Sequence, residues 1–239
     1  MGGHQIVLCR PVYRQAGLTV NAQRASFGSA IAGLAPPCLR ISAVVLAAGL
    51  SARMGGSAKM LLDVGGVPMI RRTAQNVLAF APTETVIVTG HRAEDVANVL
   101  ADLPASCIFN RDFAQGQPTS VAAGVRALTQ VCDAVMIMLG DQPLVTASDI
   151  ERLASLYARL ELESILVPFY ESKRGNPILF ASRHIPAVIG GGLNIGCRKL
   201  IETRTSDVYR AEMESDVYAL DCDTPEDYAR LLHRLEKMQ

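Results

Sequence analysis

The stretch Ile41-Ser-Ala-Val-Val-Leu-Ala-Ala-Gly-Leu-Ser-Ala-Arg-Met-Gly-Gly-Ser-Ala-Lys59 decides the fold. Its first part, Ile41 to Ala47, is an aliphatic run of strand length, which predicts a short strand buried on both faces. The run passes directly into a glycine-rich loop, Gly49 to Gly65. Small residues at Ala47, Ala48, Gly49 and Gly55, following Leu46, let the backbone come close to a ligand and free N–H groups for phosphate oxygens. Arg53 and Lys59, six residues apart, add two cations to the same loop. The spacing fits neither G-x-x-x-x-G-K-[ST] nor G-x-G-x-x-G, so the standard P-loop and dinucleotide readings both fail. Spacing alone also allows a structural glycine-rich turn.

Downstream the pattern alternates. Pro68 opens a helix carrying Met69, Ile70, Val77 and Leu78 at helical spacing. A strand at Thr85–Thr89, a helix from Ala93 to Leu103 and a strand at Cys107–Asn110 follow, and this β-α-β-α-β order implies a parallel sheet with right-handed crossovers. A helix is predicted at Ser120–Thr129. Ala134 to Leu139 then reads as a central strand delivering Asp141 at its carboxyl end, where open α/β sheets bind ligands. Thr146 with Asp149 and Ser148 with Glu151 are competing caps for a helix reaching Leu162. Beyond it lie a strand at Ser164–Phe169, a turn at Gly175-Asn-Pro177, a strand at Ile178–Phe180 and short helices near Ser182–Ile189 and Cys197–Thr203. Val217–Leu220 reads as a last strand, and Thr224-Pro-Glu-Asp227 as a helix start with cap, Pro at N1 and acids against the dipole.

The 239-residue chain is 49% apolar, with 23 basic and 23 acidic side chains, the profile of a globular protein able to bury a sizeable core. Zero net charge argues against a general nucleic-acid or membrane-surface binder. The longest apolar stretch, Ile41 to Leu50, falls short of the roughly 18 residues of a membrane span. Six cysteines without a C-x-x-C pair and four scattered histidines argue against structural zinc, and the thiols read as reduced, cytoplasmic and hydrophobic in role. No acidic residue precedes Asp63. Residues 1–40 lack a sustained helical or strand period and end just past Pro36-Pro37, so they are expected to lie outside the fold, as an upstream extension or a transit-type segment. The domain is expected at 41–239.

Leu46-Ala-Ala-Gly49, Ser51, Arg53-Met-Gly55 and Lys59 resemble the L-A-A-G-x-S-x-R-M-G-x-x-K motif of the molybdenum-cofactor nucleotidyltransferases of the MobA-like type. The likeness continues through Gly116-Gln-Pro-Thr-Ser120 with Gly124, Leu139-Gly-Asp-Gln-Pro143, Arg174-Gly-Asn-Pro-Ile-Leu-Phe180 and Asp221-Cys-Asp-Thr-Pro-Glu-Asp227. It implies a Rossmann-like three-layer α/β/α domain of nucleotide-diphosphosugar transferase type with a mostly parallel sheet. It further implies transfer of a nucleoside monophosphate from CTP or GTP to the phosphate of molybdopterin, with magnesium (Mg2+), and an apo molybdenum hydroxylase as recipient partner. L-A-A-G where guanylyltransferases have L-A-G-G points to CTP.

The resemblance assigns Arg53 and Lys59 to the triphosphate and Asp141 to the metal. Asp223 is favoured as a second metal ligand with Asp221 close behind, since alternating strand positions would put both on one face, although one of them could instead serve the Thr224 cap. Thr119 and Ser120 suit a base or ribose, or a helix cap. Asn176 stands where many relatives have His, and Leu193 replaces the Asp of a G-D-x-G-A-R pattern that keeps Arg198. These departures fall on the acceptor side. The alternatives are a guanylyltransferase or sugar-phosphate nucleotidyltransferase on the same scaffold, and a non-catalytic cofactor carrier, which would have no need of a triphosphate site with a metal carboxylate.

Overall fold

The computed structural model describes residues 39–51, 54, 58–160, 164–190 and 201–237. Eight strands form one sheet: β1 Ile41–Ala47, β2 Glu84–Thr89, β3 Ser106–Phe109, β4 Ala134–Leu139, β5 Ile165–Tyr170, β6 Lys173–Arg174, β7 Ile178–Ala181 and β8 Val208–Glu212. Their order is β3-β2-β1-β4-β7-β5-β6, with β8 also on β5. The pairs β1–β2, β1–β4, β2–β3 and β5–β8 are parallel, and β7 runs antiparallel between β4 and β5. All seven residues of β1 are buried, as its aliphatic run requires.

Among the described residues the helices are α1 Met69–Ala79, α2 Ala93–Asn98, α3 Gln117–Arg126, α4 Ala147–Tyr157, α5 Ile185–Gly190 and α6 Pro225–Glu236, and residues 201–203 are helical as well. Met69, Ile70 and Val77 of α1, Val96 of α2, Leu153 of α4 and Leu231 of α6 pack in one core. Val121 and Val125 of α3 and Val188 of α5 pack in the other, against Val44, Val88 and Val135. Two helical layers therefore sandwich the sheet. At Gly124 the α3 backbone comes so close to β1 that a Cβ would lie 2.3 Å from Val44 Cγ1, so only glycine permits this packing. Because the chain leaves β1 toward β2 on one side and later returns to β4 on the other, the order of the strands reverses between the parallel neighbours β1 and β4. That crevice at the carboxyl ends of the two strands is where such sheets bind ligands.

Several sequence expectations change. Helix α2 stops at Asn98 rather than Leu103, because the amides of Leu100, Ala101 and Leu103 bond three residues back in tighter turns ahead of Pro104. Helix α3 begins at Gln117, before Ser120, and α4 ends at Tyr157 with Thr146 and Asp149 forming the capping box. Val217–Leu220 is no strand. Asp216–Ala219 forms a 3-10 turn in which the Ser215 hydroxyl accepts from the Val217 amide, and the Tyr218 carbonyl accepts from Gln142 and Asn176 instead of a ladder. The strand in this region is β8, whose exposed Arg210 and Glu212 hide the alternation that signals a buried strand. Among the described residues, no helix is long and apolar enough to cross a membrane.

Candidate active site

Hydrogen bonds from α1 fix the loop after β4. Thr73 Oγ1 donates to the Gly140 carbonyl at 3.0 Å, Asn76 Nδ2 donates to the Pro143 and Val145 carbonyls, and the Gly140 amide bonds the Leu46 carbonyl of β1. Asp141 is thereby held at the mouth of the crevice between β1 and β4. Lys59 begins a 3-10 turn, Lys59–Leu61, and its amide donates to Ser51 Oγ at 3.2 Å. The residue is only 8% exposed. Its ammonium lies 2.5 Å from Asp141 Oδ2 and 3.0 Å from Asp223 Oδ1, bridging two carboxylates that are 82 residues apart in sequence.

Asp223 comes from the segment leading into α6. That helix is capped by Thr224, whose side chain accepts from the Asp227 amide, while Asp227 Oδ2 accepts from the amides of Asp223 and Thr224. Thr224 and Asp227 therefore supply the cap, and the Asp223 carboxylate is directed at Lys59. Asp221 accepts from Gln142 Nε2 at 3.1 Å. Burial first, then the neighbouring Asp141 and Asp223, push its carboxyl up to about 6, against the opposing pull of Lys59 and Gln142. Burial by itself would lower the Lys59 ammonium, but Asp141 and Asp223 outweigh it and hold the group above its ordinary value. The two aspartates converge by this route and not by strand alternation, since neither lies in a strand.

A cavity of about 370 Å³ opens over this cluster. Leu46, Ala48 and Gly49 form one wall, Phe113, Gly116 and Ser120 another, and Lys59, Asp141 and Asp223 the floor. Buried Asn110 shapes the second wall by donating through Nδ2 to Thr119 Oγ1 at 2.9 Å and Ser120 Oγ at 3.0 Å. The Thr119 hydroxyl is directed at the carbonyls of Asp112 and Gly116. The Ser120 oxygen accepts from Asn110, which leaves its proton for a group in the cavity. Gly116 is the N-cap of α3, so the helix starts at this wall.

Of the sequence-predicted residues, Leu46, Ala48, Gly49, Lys59, Gly116, Ser120, Asp141 and Asp223 meet around one cavity. Ala47 packs into the opposite core, Thr119 is turned toward backbone carbonyls, and Asn176 bonds the Tyr218 carbonyl through its amide. None of these three lines the cavity, and Asp221 sits behind it on Gln142. Arg53, Gly55 and Arg198 lie outside the described residues. Sequence reasoning missed Asn110 and Gln142, whose roles lie in contacts with residues it placed elsewhere.

Among the described residues, no three His, Cys, Asp or Glu side chains are grouped so as to hold a metal ion by themselves. A small divalent cation that takes one or two carboxylates and completes its shell with phosphate oxygens fits the chemistry of the floor better than an all-protein cage would. Asp141 and Asp223 already share one cation, the Lys59 ammonium. The donor set therefore suits a metal held jointly with a polyphosphate.

Residues 43–208 match the MobA-like NTP transferase domain. The molybdenum cofactor cytidylyltransferase of Escherichia coli K12 is 30% identical over 190 residues, covering 79% of this chain and 93% of that protein. The nicotine blue oxidoreductase of Paenarthrobacter nicotinovorans is 27% identical over 203 residues, covering 82% and 97%. A nucleotidyl transferase from Methanothermobacter superposes with a TM-score of 0.71 at 24% identity, over 84% of this chain and 99% of the other, which shows the shared fold.

Proposed function

The chain belongs to the MobA-like NTP transferase family and is a nucleotidyltransferase, and from that premise we propose that it transfers CMP from CTP to the terminal phosphate of molybdopterin, with a divalent cation, Mg2+ in the cell. The observation that carries this reading is the convergence of Lys59, Asp141 and Asp223 beneath a cavity walled by the Leu46–Gly49 loop and the start of α3. The similarity to the Escherichia coli cytidylyltransferase over 93% of that protein supports the choice of nucleotide and acceptor. The substrates suit a cytoplasmic enzyme.

In the proposed reaction an oxygen of the acceptor phosphate bonds to the α-phosphorus. The bond from that phosphorus to the bridging oxygen breaks, and its electron pair leaves with pyrophosphate. In this reading the Lys59 ammonium would neutralise charge growing on the leaving group, a role the sequence resemblance also assigns to Arg53. Asp141 and Asp223 would hold the metal, which when bound polarises the phosphoryl oxygens and aligns the triphosphate. Backbone groups of Ala48 and Gly49 and the Ser120 proton, all at the cavity wall, would meet the nucleoside, and the Ala48 methyl would narrow that wall against a purine. Thr119 and Ser120 are tied together through the Asn110 side-chain amide that both hydroxyls accept from. Asn176 and Arg198 are assigned to the acceptor side.

The test is incubation with each nucleoside triphosphate, Mg2+ and molybdopterin, following pyrophosphate and the mass of the product. CTP should be favoured over GTP by about 10²-fold in kcat/KM, because a hydrogen-bonding site rejects a base that leaves its groups unpaired. Equal or better use of GTP overturns the cytidylyl assignment, and absence of pyrophosphate with every triphosphate overturns the reaction.

A further inference from the structure

Gln142 follows Asp141 in the chain and points away from the cavity. It is 2% exposed, and its Nε2 donates to the Tyr218 carbonyl at 3.1 Å, the Leu220 carbonyl at 3.4 Å and Asp221 Oδ1 at 3.1 Å. All three partners are acceptors, so the site demands a donor. The Tyr218 carbonyl also accepts from the Asn176 amide at 2.9 Å, and the Gly175 amide bonds the Pro168 carbonyl of β5 at 2.8 Å. A Cβ on Gly175 would lie 2.5 Å from the Tyr218 oxygen and 2.8 Å from its carbonyl carbon, backbone that cannot swing aside. One carbonyl thus joins three segments distant in sequence: the loop after β4, the turn before β7 and the lead-in to α6.

The 216–220 segment has no strand partner to fix it. At one end the Tyr218 hydroxyl donates to the Asp149 carbonyl of α4, and at the other Thr224 starts α6. Between them, Gln142 and Gly175 set the path that brings Asp223 to 3.0 Å from Lys59. Gln142 Oε1 is buried without a partner. A buried acceptor left unpaired is a cost to the fold, and an apolar side chain of similar size would avoid it. What the carboxamide contributes is its donor side.

Resting on the reaction proposed above, we infer that Gln142 is a positioning residue, which with Gly175 holds the 218–223 segment so that Asp223 faces Asp141 across the site for the metal-bound triphosphate. Gln142 touches neither substrate nor metal. It acts through Asp221 and the backbone of Tyr218 and Leu220, as hydrogen-bonded partners behind a metal ligand do in general.

The test uses Gln142→Met, which removes the donor at similar volume, Gln142→Glu, which keeps the shape but sets a carboxylate against three acceptors, and Gly175→Ala, which displaces Tyr218 from the other side. Glu84→Ala, at the far end of β2, is the control for general destabilisation. Bound Mn2+ is measured by electron paramagnetic resonance with CTP present, CTP binding is measured without metal, and hydrogen exchange is followed across 216–224 in the ligand-free protein. Every folded Gln142 or Gly175 variant should bind Mn2+ about tenfold or more weakly, keep metal-free CTP affinity within about twofold, and exchange faster at 216–224; Glu84→Ala should do none of these. Mn2+ affinity within about twofold of wild type in the folded variants, or an equal loss in Glu84→Ala, overturns the inference while the proposed reaction stands. Wild-type protein that binds no Mn2+ with any nucleoside triphosphate overturns the proposed reaction and this role with it.

Discussion

Replacing Lys59 with Met tests whether its ammonium is the counter-ion that lets Asp141 and Asp223 face each other in the metal-free protein. The lysine side chain is 11% exposed, that of Asp141 10% and that of Asp223 32%. At about 4 Å and an effective dielectric constant of about 20, each pair is worth roughly 4 kcal/mol before desolvation is subtracted. Deleting one member of a buried pair typically costs about 3–5 kcal/mol, because the charge left behind is unpaired. The partial exposure of Asp223 lets water screen part of this, so about 3 kcal/mol is expected. For a domain of this size that lowers Tm by about 6–12 °C. Because Asp141 and Asp223 hold Lys59 above its ordinary value, the stabilisation is fully present below the unfolded value of 10.5 and is lost only as pH rises through the higher folded value. The deficit of Lys59→Met should therefore be constant through neutral pH. Mg2+ without nucleotide should raise the Tm of the variant more than that of wild type, since the metal replaces a missing charge, while turnover falls about 10²–10³-fold. Thermal melts with and without Mg2+ make the comparison, and a Tm loss under about 2 °C that Mg2+ does not change refutes the counter-ion role.

Asp141→Asn should lower turnover by at least about 10²-fold while metal-free nucleotide binding survives in a filter or calorimetric assay; turnover within a few-fold of wild type would make Asp141 a turn residue. Glu84 accepts from the Thr129 and Gln130 amides and the Thr129 hydroxyl, and although burial alone would raise its carboxyl, these bonds hold it below the ordinary value. Glu84→Ala should thus cost about 1–2 kcal/mol in urea melts at pH 7, and the difference should vanish as pH falls through the folded carboxyl value, because stability from a depressed carboxyl exists only above it. Deleting residues 1–38 should leave Tm and activity intact, since buried Leu39 and the Arg40–Asp133 ion pair both remain; a large Tm loss would move the domain boundary upstream.

Strands β1 and β4 were legible to the residue because both are continuous aliphatic runs at the centre of the sheet, where burial on both faces overrides every other signal. The start of α6 was legible for a different reason, since Thr224, Pro225 and Asp227 state the cap chemistry locally. What failed were features that depend on partners. Val217–Leu220 reads as a strand by composition, yet its carbonyls are claimed by Gln142 and Asn176. The charged edge strand β8 shows its pairing only once β5 is in place.

The site divides along the same line. Lys59 and Asp141 lie within the region matched to the family, on the loop after β1 and the loop after β4, and both were readable from local pattern. Asp223 lies beyond that region, and strand alternation was the wrong reason to choose it. Its place follows from the cap of α6, which fixes the backbone at Thr224, and from the bond of Lys59 to its carboxylate, 164 residues back in sequence. Asp141 and Asp223 share one lysine in this corner, and Asp221 behind them is raised, first by its burial and then by those two carboxylates. A second cation is the direct electrostatic remedy. Under the proposed reaction, a triphosphate that carries its own metal would supply that cation, and its phosphates would offer Lys59 a new partner as the metal took the carboxylates.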